Sequence, residues 1–185
     1  MALKLYEIST TLESHPDSRA ILSESSYDDE VFSYFMVNRG NKEIIEKYDL
    51  EYLAGKGYTL KNIVKTDHIS TFSALLFSTK FVECAGEVLS KEMQFFPCKV
   101  ICKGVAFDWY AAKILRVLPI VDKELSKYRM LTDGKPILNG VKYREDIDEQ
   151  FYIARDSESI TYFAVSELFK NLCDKNNLMI KFTRL

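Results

Sequence analysis

Glu92–Tyr128 reads EMQFFPCKVICKGVAFDWYAAKILRVLPIVDKELSKY and holds the densest apolar and aromatic run of the chain, with its only Trp and two of its four Cys. The stretch reads as two central strands with a loop between them. Phe95 to Lys103 forms the first strand. Pro97 interrupts it and cannot donate to a ladder, so that position belongs at an edge or a bulge. Cys98 and Cys102 are four apart, which on a strand places them on one face beside Phe96 and Val100. Tyr110 to Val121 can be drawn either as a helix from Ala111 or as a long, bent strand broken at Pro119.

Upstream, Leu75-Leu76-Phe77 is a short apolar run, and Ser78 offers a hydroxyl to cap a following helix. Phe81, Val82, Ala85, Val88 and Leu89 then recur along one face of a helix over 79–90. Downstream the same grammar returns. Residues 162–165 read as a strand, Ser166 as a cap, and Leu168, Phe169, Leu172 and Cys173 as a helical face. Asn176-Asn177 ends that helix, because Asn tolerates the left-handed conformation. Leu178, Ile180 and Phe182 alternate as a last strand. The two strand–Ser–helix–strand units fit a weak internal duplication, and equally any two β–α–β units.

The rest is less patterned. Residues 3–10 alternate as a first strand, 11–30 read as a polar loop, and Val31 to Tyr34 as a short strand. Residues 41–54 read as a helix stopped by Gly55 and Gly57, and 58–70 as irregular. Strands are expected over 136–143 and 151–155, joined by the acidic turn Glu145 to Glu149. The whole reads as one α+β domain over 1–185, with a mixed or antiparallel sheet and a few packed helices.

At 185 residues the chain can bury a core without staples. Its 47% hydrophobic and 28% charged residues are those of a soluble protein, and a net charge of −2 supplies no global field for nucleic acid or anionic membrane. No apolar run approaches a bilayer span, and the N-terminus has no secretory h-region. The four scattered Cys read as buried free thiols in a reducing cytosol.

Catalytic chemistry is thin. His15 and His68 read as surface loop histidines without partners at metal-ligand spacing. No phosphate-binding glycine loop, nucleophile elbow or zinc helix motif occurs. A hydrolase or nucleotide-processing enzyme would have to use Asp67, His68 or Cys98. Neither a catalytic residue, a cofactor site nor a metal site is assigned, and no cofactor is expected. An adaptor module is the other alternative, favoured by a large exposed apolar patch.

Two acidic stretches are candidates for binding a partner. Tyr27, Asp28, Asp29 and Glu30 fall in a segment with no Lys or Arg between Arg19 and Arg39. Glu145, Asp146, Asp148 and Glu149 form the second. Carboxylates beside aromatics suit a surface that meets a basic protein, since charge speeds approach and aromatics supply the desolvated anchor. The simpler reading of either run is a solvated loop.

Several landmarks occur in a fixed order: Phe95-Phe96-Pro97; Trp109-Tyr110 running to Val121; Asp122 with Ser126 and Tyr128; Phe151-Tyr152-Ile153-Ala154-Arg155; and Val165-Ser166-Glu167 before a helix and a strand ending at Phe182. Over about 75–185 this pattern resembles a family of bacterial polymorphic-toxin immunity proteins first catalogued as a domain of unknown function. The chain departs from that pattern at Leu178-Met179, where the family tends to have Gly, and at Ala154, where it has an aromatic. The resemblance implies a non-enzymatic cytoplasmic protein. Such a protein binds a cognate toxin domain, often one delivered by contact-dependent or type VI systems, and blocks it. Were that toxin a nuclease, its basic substrate groove would be a natural target for either acidic stretch. No contact with nucleic acid or membrane is implied, and no binding residue is carried over from the family.

Overall fold

The computed structural model describes residues 3–12 and 19–185, so His15 lies outside the described residues. The first strand, β1 (Leu5–Ser9), falls where alternation places it. Next comes β2 (Ala20–Leu22), within the stretch read as a loop. A single 3-10 turn, Ser25–Tyr27, leads into α1 (Asp28–Phe35). The strand expected over Val31 to Tyr34 is therefore helical. Val31, Tyr34 and Phe35 are buried at i, i+3 and i+4, a helical stripe. Asp28, Asp29 and Glu30 fill the first turn, where the helix dipole favours negative charge.

The helix expected over 41–54 is only α2 (Lys42–Ile45), opened by Asn41, whose side chain accepts from the Glu43 N–H. The chain then extends into β3 (Glu51–Ala54), because Tyr52 is wholly buried as part of a sheet. The segment 58–70 is likewise ordered: α3 (Leu60–Ile63) is opened by a reciprocal capping box between Thr59 and Asn62, and β4 (His68–Ser70) follows. The chain continues with β5 (Leu75–Ser78) and α4 (Thr79–Leu89), with the Ser78 hydroxyl accepting from the Phe81 N–H at 3.0 Å.

The opening stretch becomes β6 (Met93–Cys102) and β7 (Val105–Ile114), paired without a bulge from Met93↔Ile114 to Cys102↔Val105. Lys103 and Gly104 turn the hairpin with φ of 50° and 80°, the two positive values that a tight hairpin turn demands. The open choice over 110–121 resolves as strand, ending in the short β8 (Val117–Leu118). Pro97 lies at an edge. The Lys99 N–H reaches β3 through the Leu50 carbonyl, so Pro97, two residues earlier, faces the same side beyond the start of that strand.

A two-stranded ribbon, β9 (Lys127–Met130) and β10 (Pro136–Gly140), follows; only its second strand was expected. The chain ends with β11 (Ile153–Asp156), β12 (Phe163–Ser166), α5 (Glu167–Lys175) and β13 (Lys181–Arg184). Ser166 caps α5 through the Leu168 N–H, and Asn177 takes φ of 51° just past the helix.

The strands form an α+β fold with two main sheets, ordered β2-β3-β6-β7-β5-β4 and β13-β1-β12-β11-β8. Both strand–Ser–helix–strand units have one layout. β5 and β6 each pair antiparallel with β7, and β12 and β13 each pair antiparallel with β1. Each unit is thus a β–α–β split by one inserted antiparallel strand. The helices meet in a shared core where Phe81 lies 4.2 Å from Phe77 and 5.9 Å from Phe169, ring to ring. A second core lies on the other face of the six-stranded sheet, where Tyr52, Tyr58, Phe96, Val100 and Trp109 pack under α1. Cys98 and Cys102 share that buried face as expected, and Cys173 is buried in the core between the helices, but Cys84 is exposed on α4. Among the described residues no helix is long and apolar enough to cross a membrane.

Candidate partner-binding surface

The first acidic stretch is the start of a helix. Asp28, Asp29 and Glu30 project from the first turn of α1 and are exposed, and none forms an ion pair among the described residues. Tyr27 is fixed just before them. Its ring stacks on Tyr48 at 4.2 Å with planes 10° apart, and its hydroxyl donates to the Asp49 carbonyl at 3.4 Å. Burial, and then the Glu24 carboxylate, hold the Tyr27 phenol above its ordinary pKa.

Packing of α2 against α1 extends this surface. It adds Glu43, Glu46 and the half-exposed Ile44, and only Glu46 is paired, with Lys42 at 2.7 Å. Residues 20–54 carry eight carboxylates against three cations, a net of −5, so the remainder of a chain of net −2 carries +3. Between the helices runs a groove of about 230 Å³ with Asp29 and Glu30 on its rim and Tyr34, Ile44 and Ile45 among its walls. Sequence reasoning found the carboxylates and missed the groove. The legible signal was that the acidic excess continues past Arg39 through Glu43, Glu46, Asp49 and Glu51.

The second stretch has a different character. Asp146 takes two hydrogen bonds from Arg144, at 2.9 and 2.8 Å, and Arg144 holds its carboxyl below the ordinary value. Glu149 is paired with Arg116. Glu145 and Asp146 line a shallow cleft of about 980 Å³ whose wall also carries Lys123, Lys142 and Arg144, so its charge is mixed. Asp148 and Glu149 are exposed and lie outside that lining. The two clefts share no residue.

The residues that a hydrolytic site would have needed are inside the fold. His68 is not on the surface: it is wholly buried on β4, where its Nδ1–H donates to the Leu76 carbonyl at 3.0 Å and its ring lies 5.0 Å from Phe77. Burial pushes its pKa down to about 4. Asp67 accepts from the Ser78 hydroxyl and from the Met179 N–H at 2.7 Å, so it ties β5 to the segment before β13. Burial pushes the Cys98 thiol far up and that of Cys173 to about 12, away from the thiolate needed for reactivity. Among the described residues no three His, Cys, Asp or Glu side chains gather as metal ligands would.

Two buried cations were not foreseen. Arg155, 2% exposed, donates to the Phe35 and Met36 carbonyls at 2.7 Å each and to Ile160 at 3.2 Å. Lys113 sits 3.6 Å over the Tyr34 ring. Both hold the C-terminal end of α1, where the helix dipole favours positive charge. Burial lowers the Arg155 pKa to about 10, so it remains charged at neutral pH.

No family model matches the chain, and no curated protein matches it in sequence.

Proposed function

We propose that the protein is an immunity protein that binds a basic toxin domain in the cytoplasm of the cell that makes it and blocks that domain by occlusion. The observation that carries this reading is the unpaired carboxylate row of α1, set beside the Tyr27–Tyr48 stack on a segment of net −5. Such a surface steers a basic partner in and offers rigid aromatic area for the desolvated contact. The resemblance over 75–185 supports the same reading from an independent part of the chain. The test is co-expression with the toxin domain encoded beside it. Survival is expected, with a 1:1 complex recovered on pull-down. Cell death at equal expression would sink the proposal.

One feature favours an adaptor as the second reading. Ile21, Leu53, Ile101 and Ala106 align across β2, β3, β6 and β7, on the face opposite the buried Tyr52 and Val100 and the partly buried Phe107. Ile21 and Leu53 are 61% and 42% exposed. In that reading the double variant Ile21→Lys/Leu53→Lys abolishes assembly with the scaffold partner, and even the wild type gives no protection against the co-expressed toxin domain.

A further inference from the structure

The α1–α2 groove is more than an acidic surface. Its walls include a side chain that is nearly buried and still polar: Tyr34 is 3% exposed, lines the groove, and its hydroxyl makes no hydrogen bond among the described residues. Burial, and then the Glu46 carboxylate, hold that phenol protonated well past neutral pH. Lys113 occupies one face of the Tyr34 ring. Asp29 and Glu30 line it too, and neither forms an ion pair among the described residues. Ile44 and Ile45 supply an apolar wall.

We infer that this groove is a pocket for one arginine side chain of the partner protein. The inference rests on the immunity reading for the partner's identity and on the groove alone for the chemistry. An arginine has an apolar stem for Ile44 and Ile45 and a planar fork of five N–H donors for the two carboxylates and the phenolic oxygen. The groove's volume of about 230 Å³ suits one long side chain rather than a helix or a strand. The second cleft differs in carrying cations of its own: Lys123, Lys142 and Arg144 line it, with Lys123 paired to Glu158 and Arg144 to Asp146.

The test titrates capped peptides into isotopically labelled protein and follows its amide NMR spectrum. The peptides are Ac-Ala-Arg-Ala-NH2, its lysine analogue, and its citrulline analogue, which keeps the shape and loses the charge. The arginine peptide is expected to give saturable shifts confined to 28–48. Lysine should bind more weakly and citrulline not at all. Asp29→Asn/Glu30→Gln should weaken arginine binding roughly tenfold, as loss of a paired charge does. Tyr34→Phe, which keeps the ring under Lys113, should weaken it to a lesser degree. Glu145→Gln/Asp148→Asn should leave it unchanged. Each variant is first checked for a native spectrum. Equal shifts with citrulline, unsaturable shifts spread over every carboxylate, or full binding by the Asp29/Glu30 variant would each overturn the pocket. Arginine binding here together with failure of protection in cells would remove the immunity reading and leave the pocket standing. Protection without arginine binding would do the reverse.

Discussion

Acidification from pH 7 to pH 4.5 should destabilise this fold through one side chain that has no part in binding. His68 is wholly buried and held neutral by a pKa of about 4, against 6.5 when exposed. The folded-state value is depressed, so below pH 6.5 the unfolded chain takes up a proton that the folded chain refuses. Stability from this group is complete above pH 6.5 and is lost as pH falls towards 4. The gap is worth about 3 kcal/mol in full, of which about 1.5 is gone at pH 5.5 and about 2.5 at pH 4.5. Urea unfolding of the wild type and of His68→Gln, measured side by side at pH 7.5, 6.5, 5.5 and 4.5, isolates the effect. Every other ionisable group is common to both proteins and cancels in the difference. Gln keeps a donor for the Leu76 carbonyl and cannot ionise. The stability advantage of the wild type should fall by only about 0.4 kcal/mol from pH 7.5 to 6.5 and then shrink by those larger amounts. An advantage that stays constant to pH 4.5, or an imidazole that titrates near 6.5 in the folded protein, would refute the reasoning.

Arg155→Met should cost about 2–4 kcal/mol, because it orphans two helix-terminal carbonyls that each accept at 2.7 Å, while relieving the burial of a charge. Hydrogen exchange should show amides of 32–37 opening first, and a loss below about 1 kcal/mol would count against a pinning role. Phe81→Ala should cost about 3–5 kcal/mol in urea unfolding, with Phe81→Ala and Phe169→Ala combining non-additively because the rings touch across the joint between the two units. Gly104→Ala should cost about 1 kcal/mol, from φ of +80° alone, since nothing lies within 4 Å of an added Cβ.

What was legible follows from element length and from caps. α4 and α5 run for 11 and 9 residues, long enough for helical periodicity to show, and each opens at a serine whose hydroxyl accepts a backbone N–H. β6, at 10 residues, carries its own alternation, whereas β7 is continuously buried from Ala111 to Ile114, which is why helix and strand both stayed open there. The chain before β5 is built from pieces of three to eight residues, such as β2, α2 and α3, which are too short for any period to separate from noise. There, tertiary context decides. Val31-Phe32-Ser33-Tyr34 has the β-branched and aromatic composition of a strand, yet Tyr34 and Phe35 are needed edge-on against Phe96, at 5.5 and 5.4 Å, which the helix provides. His68 looked exposed beside Asp67 because its burial is created by pairing with Phe77, nine residues later. The carboxylates of the candidate site were visible for the converse reason. Charge is a property of the sequence, whereas the groove beneath it exists only once α2 is folded back on α1.

The topology also bears on which part of the chain carries the resemblance. The matching landmarks span about 75–185, but the sheet they build is not complete within those residues. β12 and β13 never pair with one another; each pairs with β1, through Leu5↔Ser166 on one side and Ile8↔Phe182 on the other. Without residues 5–9 both strands would lose a ladder, and Ile8 would leave the core that α4 and α5 share. The other unit solves the same problem locally, because its inserted strand, β7, follows β6 after a two-residue turn. One unit therefore closes on a hairpin, and the other closes only when the two ends of the chain meet. Residues 5–9 are thus structurally part of the sheet that the landmarks over 75–185 build. The acidic helix α1 is in turn pinned to β11 by Arg155, to β7 by Lys113 over the Tyr34 ring and to β6 by Tyr34 and Phe35 against Phe96, so the surface proposed to meet the partner is fixed to both sheets.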